Sequence, residues 1–188
     1  MRTSLSILGT AFILSVIATP AFAQRGSPVP DTGMIGVGAS VGASIPSDDR
    51  LKNGFEVAAN VESYLTPRVS IRGQFGGTWQ DFQNQAFTGT IKPIFLDGNL
   101  VYNWEGGAWH PYVTGGGGMY HIAYTENGVD DSSTTGGFDV GGGVEYFFTR
   151  HATMTGEALY HRVNDVTTRL APIKSSFWTI SLGMKKYF

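Results

Sequence analysis

The sequence predicts an all-β fold, an eight-stranded antiparallel up-and-down transmembrane β-barrel. Three observations lead there. Apolar residues recur at every second position in successive stretches of about ten to twelve residues, the length a tilted membrane strand needs. The connections between those stretches alternate short and long. The composition is rich in glycine (26 residues) and aromatics (13%) but holds only 15% charged residues, against roughly 25% in typical domains. Those proportions suit a sheet that turns apolar atoms to lipid and small or polar atoms inward.

The last twelve residues state the pattern most clearly. Trp178, Ile180, Leu182, Met184 and Phe188 share one face. Phe177, Thr179, Ser181, Gly183, Lys185 and Tyr187 share the other, so this is a strand with one greasy side. Its expected partner is the first strand of the mature chain, a pairing that closes a barrel.

Before that first strand lies an export signal. Arg2 is followed by the apolar segment Leu5 to Ile17, then Pro20 and the small-residue site Ala21-Phe22-Ala23. Cleavage is expected after Ala23. Residues 1–23 are thus read as signal peptide, 24–33 as a short periplasmic lead-in containing Pro28 and Pro30, and 34–188 as the barrel.

The first predicted strand, Met34 to Ile45, sets Ile35, Val37, Ala39, Val41, Ala43 and Ile45 against glycines and serines. A polar loop follows to Gly54. The second, Phe55 to Leu65, opposes Phe55, Val57, Ala59 and Val61 to Glu56, Ala58, Asn60, Glu62 and Tyr64. Thr66-Pro67-Arg68 is a tight turn, with proline where φ is already set. The third, Val69 to Trp79, opposes Val69, Ile71, Phe75 and Trp79 to Ser70, Arg72, Gln74 and Thr78.

The fourth, Ile94 to Trp104, is given Pro93 at its start, where a missing N–H does least harm. The fifth, His110 to Tyr124, crosses Gly115 to Gly118, whose missing side chains leave its facing least determined; Tyr112, Tyr120, Ile122 and Tyr124 are assigned to lipid. An acidic loop, Glu126 to Thr134, is expected next. The sixth, Gly137 to Phe148, opposes Phe138, Val140, Val144, Tyr146 and Phe148 to Asp139, Gly141, Gly143, Glu145 and Phe147. The seventh, Ala152 to Val163, places Glu157 and His161 inward.

Trp104, Trp109, Tyr146, Phe148 and Phe188 fall near the short turns, and Trp79, Tyr124, Tyr160 and Trp178 near the long loops. Two such belts are expected at two membrane interfaces. The competing reading is a soluble sandwich or lipocalin-like barrel, whose greasy face would point inward.

The stretches PYVTGGGGMY (Pro111 to Tyr120) and GGGVEYFFTRHATMTGEALY (Gly141 to Tyr160), with the terminal aromatic, resemble the bacterial outer-membrane β-barrel family. That family includes the transmembrane domain of outer membrane protein A and outer membrane protein X. The resemblance covers nearly all of the mature chain and implies a Gram-negative outer membrane. It also implies that Phe188 acts as the signal to the barrel-assembly machinery. Lys186 departs from the usual apolar alternation there, and snorkelling to the interface accounts for it.

An eight-stranded barrel is just wide enough for side chains to fill. The interior is expected to hold a charge network of Glu56, Glu62, Arg72, Asp97, Asp139, Glu145, Glu157 and Lys185, with His161 a further base, because buried charges must pair. The function expected is structural or surface-interactive: envelope integrity, adhesion or ligand contact through four extracellular loops. The alternative is a narrow cation-preferring channel, in view of the excess of acids. Less favoured is a lipid A-modifying enzyme: Glu157 and His161 share a face but stand ~13 Å apart by strand rise, too far for a base and its orienter. His121 is followed two residues on by Ala123, where a lipid A deacylase has serine.

No cofactor, metal site or catalytic residue is expected. With no cysteine there is no disulfide, thiol nucleophile or thiolate metal site. Asp130 and Asp131 lack the spacing of a calcium loop. Net charge of −2 and the lack of a basic run argue against nucleic acid. The expected partners are outer-membrane lipid and lipopolysaccharide, the barrel-assembly machinery, and an extracellular ligand the sequence does not identify.

Overall fold

The computed structural model describes residues 30–81, 89–104, 107–126, 129–164, 166–167, 172–173 and 175–188. The expected signal peptide and its cleavage site, and most of the lead-in, lie outside these residues.

The strands are β1 (Ile35–Pro46), β2 (Gly54–Tyr64), β3 (Val69–Asp81), β4 (Gly89–Asn103), β5 (Trp109–Glu126), β6 (Val129–Thr149), β7 (Ala152–Val163), the short β8 (Val166–Thr167) and β9 (Pro172–Ile173), and β10 (Phe177–Tyr187). Eight of them close a barrel in the order β1-β10-β7-β6-β5-β4-β3-β2, every pair antiparallel. The seam is β1 against β10, running from Gly36↔Tyr187 to Pro46↔Phe177. β8 and β9 form a separate two-stranded ribbon in the β7–β10 connection.

The period-two pattern becomes an inside-out protein. Along β10 burial alternates without a break: Leu182 is 65% exposed and Met184 64%, while Thr179 is 1% exposed. Outside stand Val41, Phe75, Leu96, Leu100, Met119 and Ile180; buried inside are Glu56, Glu62, Arg72, Gln74, Asn99 and Asp139. A soluble barrel would show the reverse, so the lipocalin-like reading fails on this facing.

The short turns are held by their own side chains. Thr66 Oγ1 accepts from the Arg68 and Val69 amides at 3.2 and 3.0 Å, and Thr149 Oγ1 from the His151 amide at 3.2 Å, as hydroxyl turns do. Gly107 takes φ +77°, a left-handed conformation that suits glycine, in the β4–β5 turn.

Three expectations are corrected. First, β4 begins at Gly89, so Pro93 lies within the strand rather than at its start. The β3–β4 ladder lapses between Gly77↔Ile94 and Gln80↔Ile91 and the β4–β5 ladder does not. The lapse falls on the proline, which has no proton to give that neighbour.

Second, Tyr112, Tyr120 and Ile122 point into the barrel, at 3%, 0% and 4% exposure, and Tyr124 packs against the same interior cluster. The two-residue rhythm passes through the glycine run without a bulge, so His110, Tyr112, Tyr120 and Ile122 share the inner face and Trp109, Val113 and Met119 the outer.

Third, most of the supposed acidic loop Glu126 to Thr134 is strand: β5 and β6 stay paired out to Glu126↔Val129. Aspartates and serines signal a loop by composition. Here cross-strand pairs hold the ladder instead: Tyr124 donates to Asp131 at 2.8 Å, and Thr125 to Asp130 at 2.7 Å.

The polar loop after β1 makes contacts of its own. Asp48 and Arg50 pair at 2.6 Å, and Leu51 tucks into the interior apolar cluster.

Candidate functional site

Two places on this scaffold carry chemistry, the packed lumen and the projecting hairpin. The lumen is layered. At the short-turn end Tyr64, Phe147 and Tyr187 form an aromatic layer with Met34 against it; Phe147 stacks on Tyr187 at 5.8 Å. Beside it lies the ion network. Register places it: Glu62 is the direct cross-strand partner of Arg72.

Glu62 accepts from Ser70 Oγ at 2.5 Å, Arg72 Nε at 3.1 Å and Lys185 Nζ at 2.5 Å. Lys185 also reaches Glu145 Oε2 at 3.4 Å. Glu145 accepts from Thr153 at 2.5 Å and Tyr187 at 2.6 Å. Arg72 Nη1 pairs with Glu157, which accepts from Tyr112 at 2.8 Å. The Arg72 guanidinium lies 5.2 Å from the centre of the Tyr112 ring, a cation–π contact. The network laces together β2, β3, β5, β6, β7 and β10.

Glu56, Asp97 and Asp139 stand outside this network. Among the described residues, their ion pairs with Arg72 or Lys185 are not formed; Asp97 instead accepts from Asn99 Nδ2 at 2.9 Å. The expected set of eight charges thus divides into a paired group and an acidic remainder. Arg72 and Lys185 are already committed elsewhere, and acids outnumber bases.

Toward the long-loop end the lumen closes again. Phe95, Tyr120, Ile122, Val163 and Phe177 pack with Leu51 and Ile91. His161 is part of that layer: it stacks on Phe177 at 4.6 Å, and its Nδ1 lies 3.0 Å from the Tyr120 hydroxyl. It is a buried ring among aromatics and makes no ion pair in the network.

The sequence matches the family model "Outer membrane protein beta-barrel domain" over residues 9–185. The chain belongs to that family. It is therefore an outer-membrane barrel, and the apolar outer face is its lipid face. Among solved structures it is similar to Neisserial surface protein A, with TM-score 0.65 and 14% identity over 83% of this chain and 99% of that one. It is also similar to Ail, the attachment invasion locus protein of Yersinia pestis, with TM-score 0.61 and 14% identity over 84% and 99%. A third is OprG of Pseudomonas aeruginosa, with TM-score 0.59 and 13% identity over 86% and 99%. At such identities the likeness is one of fold. No curated protein matches the sequence.

Within this outer-membrane barrel the aromatics form the two expected interface groups, apart from Tyr124. Trp109 lies 4.6 Å from Tyr146, and Tyr146 5.1 Å from Phe148, near the short turns. Tyr160 and Trp178 meet at 5.1 Å, and Phe55 and Trp79 at 6.3 Å, near the opposite rim. Lys186 folds its ammonium to 5.0 Å from the Phe188 ring, beside the short-turn interface.

The second place is the β5–β6 hairpin. These strands have 18 and 21 residues, against 11 to 13 for β1, β2, β3, β7 and β10. β5 stays paired to β4 out to Gly89↔Glu126, while β6 runs on past its last pair with β7, Gly137↔Val163. The hairpin is polar, with His121 Nδ1 2.9 Å from Thr134 Oγ1 as well as the Asp130 and Asp131 pairs.

Sequence reasoning missed Ser70, Thr153 and Tyr187 as network members and misplaced Tyr112 and Tyr120. Counting by twos across the glycines puts His110 with Tyr112 and Tyr120 and puts His121 with Met119, so a histidine falls on either face and the pairing with β4 and β6 decides the facing.

Proposed function

We propose that this protein is a non-catalytic envelope barrel that presents a rigid extracellular platform, with the β5–β6 hairpin as its main contact surface. The observation that carries this is the contrast between a lumen packed at both ends and a hairpin paired out to Glu126↔Val129, whose β6 arm continues past the end of β7. One similar structure is that of Ail, the attachment invasion locus protein of Yersinia pestis, a name that supports a reading of surface contact. Ail also has a structure with the heparin analogue sucrose octasulfate. Asp130 and Asp131 would repel such a polyanion, so the favoured partner here is neutral or cationic. Outer-membrane lipid and lipopolysaccharide surround the barrel, Phe188 is the assembly signal, and export follows cleavage after Ala23.

Replacing residues 125–130 with a two-residue Asn-Gly turn joins the paired Tyr124 and Asp131 directly and leaves Ile122 and Tyr124 in the interior layer. The shortened barrel is expected to keep its heat-dependent SDS gel shift, while bacteria displaying it lose adherence to host-cell monolayers. Failure to assemble would make the hairpin part of the barrel's own stability. Unchanged adherence would move the contact to the other loops.

The channel reading is disfavoured by the Tyr64-Phe147-Tyr187 layer at one end and the Phe95-Tyr120-Phe177 layer at the other. Planar-bilayer recordings are expected to show no stepwise conductance, and neutralising Asp139 and Glu145 should create none. Cation-selective steps altered by those changes would reverse that reading.

A further inference from the structure

Outside the ion network, three ligating side chains converge. Asp97 on β4, Asp139 on β6 and His161 on β7 are buried, and one donor atom from each lies within 4.8 Å of the other two. β5 separates β4 from β6, and its inner face at this level is Gly116 and Gly118. Gly116 pairs with Asn99 on one side and Asp139 on the other; Gly118 pairs with Asp97 and Gly137. A Cβ on Gly118 would meet the Asp97 Cβ at 2.8 Å, and one on Gly116 would press on Asn99 Oδ1. The glycine run therefore clears the floor over which carboxylates from β4 and β6 approach each other.

Apart from the bond from Asn99 to Asp97 Oδ1, protein groups leave these carboxylates unsatisfied. Both oxygens of Asp139, which is 1% exposed, lack a hydrogen-bond partner, as do Asp97 Oδ2 and Asn99 Oδ1. Arg72 and Lys185 pair with Glu62, Glu145 and Glu157. A buried carboxylate without a donor is strongly disfavoured unless it is paired, protonated or bound to a metal.

We propose that Asp97, Asp139 and His161 hold a divalent first-row metal ion of the Mn²⁺ or Zn²⁺ type inside the barrel, with the Asn99 carbonyl oxygen beside them as a further donor. Two carboxylates and an imidazole are the mixed oxygen and nitrogen set such ions take. Donors bonded to one ion at about 2.1 Å lie at most ~4.2 Å apart, so a small inward rotation of the side chains completes the contacts. Tyr120 at Nδ1 and Thr179 at Nε2, 3.0 and 3.4 Å away, orient the imidazole, and ligation replaces one of them. The ion neutralises part of the acidic remainder and ties β4, β6 and β7 together next to the outer aromatic layer, where exchange with solvent is slow.

The full chain, refolded in detergent with Mn²⁺ or Zn²⁺ and passed through EDTA-containing gel filtration, is expected to retain about one ion per folded chain by elemental mass spectrometry. Asp139→Asn and Asp97→Asn are nearly isosteric, and an unboiled SDS gel verifies that each folds. Both are expected to lower retained metal by about fivefold or more. Asp130→Asn combined with Asp131→Asn should leave it unchanged. The wild-type chain refolded with Mn²⁺ should also unfold at a higher temperature than the chain refolded in EDTA, a readout that needs no variant. The proposal is overturned by a wild-type chain that retains neither metal, by equal metal in the Asp139→Asn chain, or by an unfolding temperature indifferent to Mn²⁺.

Discussion

Glu62→Ala is expected to destabilise the barrel by about 3–5 kcal/mol, the usual cost of removing one partner from a buried ion pair. Glu62 accepts from Ser70, Arg72 and Lys185 together. Its loss leaves Lys185 with Glu145 at 3.4 Å and Arg72 with Glu157 alone. The charges then remain buried without their shared counter-ion. Urea unfolding in micelles measures the loss directly, as does the temperature at which the unboiled gel band converts. Glu62→Gln keeps the shape and an acceptor for Ser70, so a smaller loss is expected. A combined replacement of Glu62 and Lys185 by methionine should recover part of the Glu62→Ala deficit, because well-packed apolar groups often match a buried pair. If Glu62→Ala unfolds like wild type, water screens the network and the strands do not depend on it.

Leu182→Arg is expected to cost about 2–4 kcal/mol of stability in the bilayer, the range for a cation on the lipid face at the midplane. Leu182 is mid-strand in β10, pairs with Val41 and Gly156, and is 65% exposed outward. Val37→Arg, on the same face near the end of β1 where it pairs with Lys186, is expected to cost about 0–1 kcal/mol, since the penalty fades toward the interface. Folding equilibria in lipid vesicles separate the two. Equal effects, or none at Leu182, would contradict a membrane-facing surface on β10, where a soluble barrel would hold such residues inside.

The strands themselves were legible in the residues. Nearly strict alternation in β1 and β10 specified both their facing and the seam, because a one-residue slip would carry every apolar side chain into the polar lumen. The β2–β3 and β6–β7 turns could be read from Thr66-Pro67 and Thr149, whose hydroxyls accept from the amides of Arg68 and His151, two residues on. The aromatic belts followed from the same alternation. Membership of the candidate charge set was also readable as a list of inward positions, since parity alone places Glu62, Arg72, Glu145, Glu157 and Lys185 on the inner wall.

Partnership was not readable. Whether Arg72 meets Glu62, Glu157 or Asp97 depends on strand tilt and on which distant strands face each other across the lumen; Arg72 and Glu157 are 85 positions apart in sequence. The face of β5 was lost for a related reason, because glycines carry no side chain to mark phase, and only its paired neighbours settled it. The outer hairpin was misread because its aspartates and serines have loop composition, yet the barrel imposes a ladder that they continue. By itself the sequence determined the architecture, the lipid face and the inward acids, all of which follow from local period and length. Only the tertiary structure decided the pairing of the charges, the aromatic closure of the lumen and the meeting of Asp97, Asp139 and His161 over Gly116 and Gly118. Those are contacts between strands far apart in the chain, set by closure of the sheet rather than by any local preference.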